Sequence, residues 1–384
     1  MRIGLDVTAA VQQGGGIGRY TRELLRALAA ADSHHIYRLF FASPWRPRQR
    51  PQPLPPLGPN FHLTALPFHD VWLARIWHRV QAPIPVELIT GPLDLFHSPD
   101  FVLPPVRRGT PTLLTVHDLS FVRDPGSAAP TLLTYLNTVV PRSVARADHI
   151  LADSQATKAD LIELYRTPAE KITVLYSGVD EVFRPVTDPA TLAAARARYG
   201  LGDAPFIFAI STLQPRKNFV RLIQAFARLP QSLISNLQLV IAGGQGWLFD
   251  SIFIEVERLG LKDRVRFPGF VADADLPALY SAARVLAYPS LYEGFGLPLL
   301  EAMACGTPVV TSTAACLPEV AGDAALLVNP YDVDALAEAL ACAVSDEALR
   351  AGLIAKGFAR AREFRWEQSA QKLLDLYQQM ADGK

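Results

Sequence analysis

The sequence predicts an α/β protein with two doubly wound parallel sheets, each in its own domain. Three observations carry this expectation. A chain of 384 residues is long for one hydrophobic core and long enough for two. Short β-branched and apolar runs alternate with amphipathic patterns through both halves, which is how strand-helix-strand units with a parallel sheet are written. A cluster of turn residues over 178–185 ends one such series before the next begins.

In the first half the expected strands are 2–7, 36–41, 61–66, 93–97, 111–116, 149–153 and 172–175, with helices over 17–31 and 132–147. In the second half the strands are 206–212, 238–243, 265–270, 284–289, 307–311 and 325–328. Between them 218–229 is helical, since Phe219, Leu222, Ile223 and Phe226 recur at helical spacing. The expected domains are therefore 1–184 and 185–364. A last helical pattern, 365–384, has Trp366, Leu373, Leu374 and Tyr377 on one face and is expected to pack back on the first domain. Residues 44–59 differ: seven prolines with Arg46, Arg48 and Arg50 make a stiff or mobile loop. Ligands of doubly wound sheets bind beyond the carboxyl ends of the strands, so the site is expected in a cleft between the two domains.

Lys plus Arg and Asp plus Glu both number 37, so no global field steers the chain toward nucleic acid; any basic site is local. Cys305, Cys316 and Cys342 lack metal-binding spacing and are expected as buried reduced thiols of a cytosolic protein. Met1-Arg2-Ile3-Gly4-Leu5-Asp6 turns polar too soon for a signal peptide. No run of apolar residues is long enough to span a bilayer. Residues 71–80 would place Trp72, Leu73, Ile76, Trp77 and Val80 on one helical face and Arg75 and Arg79 on the other, a pattern shared by core helices and by helices lying on a membrane, with core preferred.

The chemistry concentrates in turns that follow strands. Tyr292-Glu293-Gly294-Phe295-Gly296-Leu297-Pro298-Leu299-Leu300-Glu301 follows the strand 284–289. Pro298 suits a helix start, and Gly306 suits its end. Glycines there uncover backbone N–H groups at a helix N-terminus, where phosphate is attracted. Glu293 in the turn and Glu301 one turn into the helix would bracket that anion site, which is unfavourable unless ligand hydroxyls donate to them. The alternative is a capping carboxylate and a solvated Glu. Gln214-Pro215-Arg216-Lys217-Asn218 follows the strand 206–212 and puts two cations at the next helix N-terminus, where a lone Arg-Lys pair would otherwise be a solvated turn. Gly14-Gly15-Gly16-Ile17-Gly18-Arg19-Tyr20 follows the first strand; without G-K-[ST] it is no Walker loop. His117-Asp118 ends the strand 111–116, where a single His is more often structural. In Asp153-Ser154-Gln155-Ala156-Thr157, Asp153 or Ser154 is a helix cap or a ligand contact, with the cap at least as well supported.

Taken together the motifs resemble those of retaining glycosyltransferases of family 4. The resemblance rests on the E-x7-E pair Glu293/Glu301, on Tyr288-Pro289-Ser290, on Gly306-Thr307-Pro308-Val309-Val310, and on Leu317-Pro318-Glu319-Val320, Gly322-Asp323-Ala324-Ala325 and Val328-Asn329-Pro330. It covers nearly the whole chain and is densest in the second half. It implies the GT-B fold, two Rossmann-like domains facing across a cleft. It also implies roles. Arg216 and Lys217 would hold the donor diphosphate, and His117 and Glu293 would lie beside the transferred sugar. Gly294, Phe295, Gly296 and Leu297 would line the donor site, Glu301 would accept from the ribose, and Gly16 and Gly18 would face the phosphates from the N-terminal side. The turn at Asp153 departs from the family's Val-Ser.

The implied reaction moves a hexose from a nucleotide-diphosphate sugar to a saccharide or lipid-linked acceptor, with an α-donor giving an α-product. No cofactor and no metal are expected: there is no D-x-D triplet or His/carboxylate ligand cluster, and Arg216, Lys217 and helix termini supply positive potential. Overall resemblance to bacterial mannosyltransferases favours GDP-mannose over UDP-glucose. A nucleotide-sugar epimerase of the same fold and a silent sugar-nucleotide-binding subunit are the other readings. The expected place is the cytoplasm, with peripheral contact at the inner face of the membrane.

Overall fold

The computed structural model describes residues 1–42 and 51–383. The chain forms two compact units, one of Met1–Leu119, Thr134–Gly178 and Arg365–Lys384, the other of Ser120–Leu133 and Val179–Phe364. The detour of 120–133 into the second unit is not visible in the sequence pattern; within that unit the Trp247 indole N–H donates to Ser127 O at 2.6 Å.

The first unit carries seven parallel strands: β1 (Arg2–Asp6), β2 (Ile36–Ala42), β3 (Phe61–Leu66), β4 (Leu95–Ser98), β5 (Thr112–Val116), β6 (His149–Ala152) and β7 (Ile172–Val174), in the order β3-β2-β1-β4-β5-β6-β7. The central strands β4 and β5 are buried at every position. Both faces of a parallel sheet are covered by helices, so such strands read as continuous apolar runs. Helix Ile17–Ala31 covers the sheet with Tyr20, Leu24, Leu25 and Leu28. Helix Trp366–Asp382 joins the same core through Trp366, Leu373 and Tyr377. The Tyr377 hydroxyl lies 2.7 Å from His97 Nδ1, and the Thr115 hydroxyl lies 3.0 Å from its Nε2.

The second unit carries six parallel strands: β8 (Phe206–Ile210), β9 (Gln238–Ala242), β10 (Val265–Gly269), β11 (Val285–Tyr288), β12 (Val309–Ser312) and β13 (Ala325–Val328), in the order β10-β9-β8-β11-β12-β13. Helix Phe219–Ala227 buries Phe219, Leu222, Ile223 and Phe226, the face its spacing predicts.

Three expectations change. Residues 70–80 are not one regular helix: Asp70–Leu73 is α-helical and Ala74–Arg79 is a π-helix, with Val80 N–H bonded to Arg75 O. The wider i→i+5 turn moves residues off the 3.6-residue repeat. Leu73 and Trp77 are buried, but Trp72 and Val80 are exposed, and the Arg75 guanidinium lies 5.1 Å from the Trp72 ring, on the side assigned to the apolar face. Cys305 and Cys316 are buried, whereas Cys342 is exposed on the outer side of helix Val333–Ser345. Of the proline-arginine stretch 44–59, residues 44–50, with Arg46, Arg48 and Arg50, lie outside the described residues. Residues 51–58 are irregular but held, by Gln52 N–H to Val11 O at 2.8 Å and by Leu54 and Leu57 against the first core. No described helix is long and apolar enough to cross a membrane.

Candidate active site

Each sheet has a switch point where its strand order reverses, β1/β4 in the first unit and β8/β11 in the second. The loops leaving the carboxyl ends of such a pair diverge and leave a crevice for a ligand. The second unit's singled-out charges come from these two loops.

After β8 a single 3₁₀ turn, Pro215–Lys217, precedes Asn218, which has φ of 62° and leads into helix Phe219–Ala227. Asn tolerates this left-handed conformation better than most residues. Its amide fixes the turn by donating to Pro289 O at 3.0 Å and Pro330 O at 2.7 Å. Leu291 N–H donates to Arg216 O at 2.8 Å, which laces the β8 and β11 loops together. Lys217 Nζ thereby meets Glu293 Oε1 at 2.6 Å, and Arg216 reaches Glu293 Oε2 at 3.1 Å and Tyr292 O at 2.7 Å. Lys217 is 6% exposed and Glu293 6%, which rules out a solvated basic turn. Lys217 Nζ also lies 5.7 Å from the Tyr288 ring centre.

Burial works to raise the Glu293 pKa, but Lys217 and then Arg216 outweigh it and hold the carboxyl at about 2. Two cations against one carboxylate leave a net positive charge at the helix N-terminus. The two carboxylates expected to bracket an anion site are thus satisfied by protein groups: Glu293 by the two cations, and Glu301, only 2% exposed, by the Tyr280 hydroxyl, which donates to Oε2 at 2.8 Å. The capping alternative is removed for both.

The turn between these carboxylates is shaped by its neighbours. Gly296 has φ of 101°, which favours glycine, and starts helix Leu297–Ala304. Gly294 and Phe295 are buried, and Phe295 meets Phe364 edge-on at 5.7 Å. Leu297 is half-buried at the helix start. The Cys316 thiol shares its proton between Glu293 O at 3.1 Å and Phe295 O at 3.0 Å.

In the first unit, Gly16 has φ of 53° at the start of helix Ile17–Ala31, and a side chain there would meet nothing. Gly18 is different: an added Cβ would stand 2.3 Å from Gln13 O and 2.5 Å from Ala9 O. Close backbone packing therefore accounts for this glycine. The Arg22 guanidinium fastens the loop by donating to Ala10, Gln13 and Gly14 carbonyls at 2.6–2.7 Å. His117, 7% exposed at the end of β5, has Nδ1 2.7 Å from Asp153 Oδ2 and Nε2 3.0 Å from Pro99 O, the residue after β4. Tyr20 and Phe101 pack edge-on against its ring. Burial opposes a charge on this ring, but Asp153 and then Asp100 prevail, and His117 is pushed up to about 9. A doubly protonated imidazolium donates to both acceptors, so His117 has no free lone pair to act as a base.

Tyr280, Asn218 and Cys316 carry this geometry without a site role expected from the sequence, and Asp153, expected as a helix cap or a ligand contact, instead binds His117. Ser154, by contrast, is the helix cap, accepting from Thr157 N–H at 3.1 Å. Among the described residues no group of three or more His, Cys, Asp or Glu side chains is arranged to hold a metal ion.

Comparison with known proteins bears on the whole chain. The family model "Glycosyltransferase Family 4" matches residues 14–183, and "Glycosyl transferases group 1" matches 193–360. The chain is 32% identical over 366 residues to the O-antigen chain mannosyltransferase B of Escherichia coli, covering 94% of this chain and 95% of that one. It is 35% identical over 228 residues to the serotype-specific mannosyltransferase WbdA of Escherichia coli, of which it spans 28%. Sucrose-phosphate synthase from Thermosynechococcus elongatus superposes over all of both chains with a TM-score of 0.78 at 25% identity. On a relative matched across nearly its full length and family models covering both halves, the chain belongs to the family 4 glycosyltransferases and has their GT-B fold of two Rossmann-like units.

Proposed function

We propose that the chain is a retaining, metal-independent mannosyltransferase that moves mannose from GDP-mannose to a hydroxyl of a saccharide or lipid-linked acceptor. Its setting is polysaccharide or glycolipid synthesis, in the cytoplasm and at the inner face of the membrane. The observation that carries the reaction is the Lys217–Glu293–Arg216 triad at the β8/β11 switch point, with Lys217 and Glu293 buried and Arg216 half-buried. The names of the relatives support mannose.

In this reading the bond from the anomeric carbon to the diphosphate breaks while the sugar ring takes on positive charge. Negative charge grows on the departing phosphate, where Lys217, Arg216 and the amides opening helices Phe219–Ala227 and Leu297–Ala304 face it. The acceptor hydroxyl attacks from the face the diphosphate leaves, its oxygen bonds to the anomeric carbon, and its proton passes to the departing phosphate oxygen. His117, its imidazolium neutralised by Asp153 at 2.7 Å, lies beside the sugar and does not serve as a base. Glu301, oriented by Tyr280, accepts from the donor ribose.

Thermal shift with GDP, UDP and their sugars tests the donor, because a matched ligand stabilises the native state according to its saturation. Product mass then separates mannosyl transfer from glucosyl transfer, from an epimerised nucleotide sugar and from unreacted donor. Turnover is expected to persist in excess EDTA; loss that Mg²⁺ or Mn²⁺ restores would overturn metal independence. Glu301→Ala should mainly raise the donor KM, since ribose charge does not change in the reaction. Tyr280→Phe should raise it by roughly tenfold or more, the loss of one hydrogen bond to a charged group. A pure kcat loss in either variant would refute the ribose role.

A further inference from the structure

The first unit has a second concave surface, at the opposite end of its sheet from Gly16 and His117. A concavity of about 650 Å³ opens where residues 103–112 enter β5, where 146–149 enter β6 and where the C-terminal helix ends at Met380 and Gly383. Arg107, Arg108 and Arg146 line it. The nearby carboxylates are turned toward neutral donors. Asp148 accepts from Thr112 N–H at 2.8 Å and the Thr112 hydroxyl at 2.7 Å, and buried Glu87 accepts from Arg107 N–H at 3.1 Å and the Thr110 hydroxyl at 2.9 Å. Among the described residues Arg146 donates only to carbonyls, Leu103 O at 3.2 Å and Pro104 O at 3.0 Å, and the Arg107 and Arg108 side chains form no ion pair.

An apolar rim adjoins these guanidiniums. Val86 N–H donates to Pro105 O at 2.9 Å, tying the 80–90 segment to the basic loop, and the Trp77 indole N–H holds Ile84 O at 2.9 Å. His78, pushed down to about 4 by burial and then by the Arg146 charge, places the π-helix beside Arg146. On this segment Val80, Ile84 and Leu88 are 74%, 44% and 67% exposed. Clustered cations without counterions among the described residues, next to protruding aliphatic side chains, are the two signals that reversible membrane attachment requires together.

We infer that this face docks on an anionic bilayer, with lipid phosphate groups entering the Arg107–Arg108–Arg146 concavity and Val80, Ile84 and Leu88 reaching the headgroup–acyl boundary. The inference deepens the membrane-face part of the proposed function and leaves the donor assignments untouched. Guanidinium-phosphate pairing is bidentate and charge-assisted, so it selects phosphate-bearing surfaces over neutral ones once the headgroup charge is net negative.

The test is sedimentation of the full chain with phosphatidylcholine vesicles with and without phosphatidylglycerol. Wild-type chain should pellet only with the anionic vesicles. R107A/R108A should weaken that binding by about tenfold or more, and I84S/L88S should weaken it while both variants keep the wild-type circular dichroism and nucleotide-induced thermal shift. Equal pelleting of wild type and R107A/R108A would overturn the site. So would calorimetric binding of inorganic pyrophosphate, lost in R107A/R108A, without vesicle binding, since it would make the concavity a site for a soluble phosphate. Vesicle binding needs neither donor nor acceptor, so failure of the transferase reading would appear separately, as absent turnover.

Discussion

Lys217→Ala and Arg216→Ala are each expected to lower kcat by about 10² or more, the scale found when a preorganised electrostatic donor is removed. In the proposed reaction both cations face charge that grows as the diphosphate departs, and would bind the transition state more tightly than the ground state. Lys217 carries the sharper test, because its Nζ is buried 2.6 Å from Glu293. Removing it also leaves a buried carboxylate, held at about 2 by two cations, with Arg216 as its remaining partner. Breaking one side of a buried pair costs about 3–5 kcal/mol of stability, which could pass for a catalytic loss. The double variant K217M/E293Q separates the two effects: it removes both charges at similar volume and should recover stability without recovering turnover. Glu293→Gln alone should change both kcat and KM, because its carboxylate orders both cations and lies where the transferred sugar is proposed to sit. Steady-state kinetics on variants checked by circular dichroism decide the matter. Full activity in folded Lys217→Ala and Arg216→Ala would refute the site, and recovery of turnover in K217M/E293Q would reduce Lys217 to a structural counterion.

The strands are legible in the sequence because central strands of covered parallel sheets bury both faces and read as unbroken apolar runs, as at Val285–Tyr288. Placement of Arg216, Lys217 and Glu293 is legible for a related reason: each follows such a run, and in a doubly wound sheet the residues after a run lie at its carboxyl edge. What stays hidden is pairing across the sheet. Glu293 meets Lys217 because β11 lies beside β8, with Leu286 opposite Phe208, and nothing local to either motif says so. The stretch 71–80 fails differently: its apolar spacing presumes 3.6 residues per turn, and a π-helix does not keep that count. Asp153 is the instructive case. Val116 pairs with Ala152 in the β5/β6 register, so the next residues, His117 and Asp153, stand side by side. Two polar residues each one past the end of adjacent strands are a signal that strand order would convert into a contact.

That contact sets the second large effect, which is on stability and its pH dependence. The His117 ring is buried against Tyr20 and Phe101, where a lone imidazolium would be costly, and the Asp153 carboxylate at 2.7 Å makes the charge tolerable. Asp153→Asn keeps the shape and removes the charge, so it should destabilise the fold by about 3 kcal/mol or more near neutral pH. The sign of the pH dependence follows from the upward shift. With a folded pKa of about 9 against an ordinary 6.5, the His117 contribution is complete below pH 6.5 and is lost as pH rises through 9. Urea unfolding of the wild type across that window should therefore show stability falling toward alkaline pH. In Asp153→Asn the imidazolium loses its first counterion and keeps only the weaker field of Asp100, so its pKa drops and the slope should flatten. The activity profile provides a readout that a merely structural role would leave unchanged. If His117 is a fixed cation, kcat/KM should show no limb near pH 6.5 in the wild type and should gain one in folded Asp153→Asn as the ring begins to titrate there. An Asp153→Asn variant as stable as wild type with the same alkaline slope would show that the pair does not hold the charge, and His117 would again be a neutral imidazole able to accept a proton.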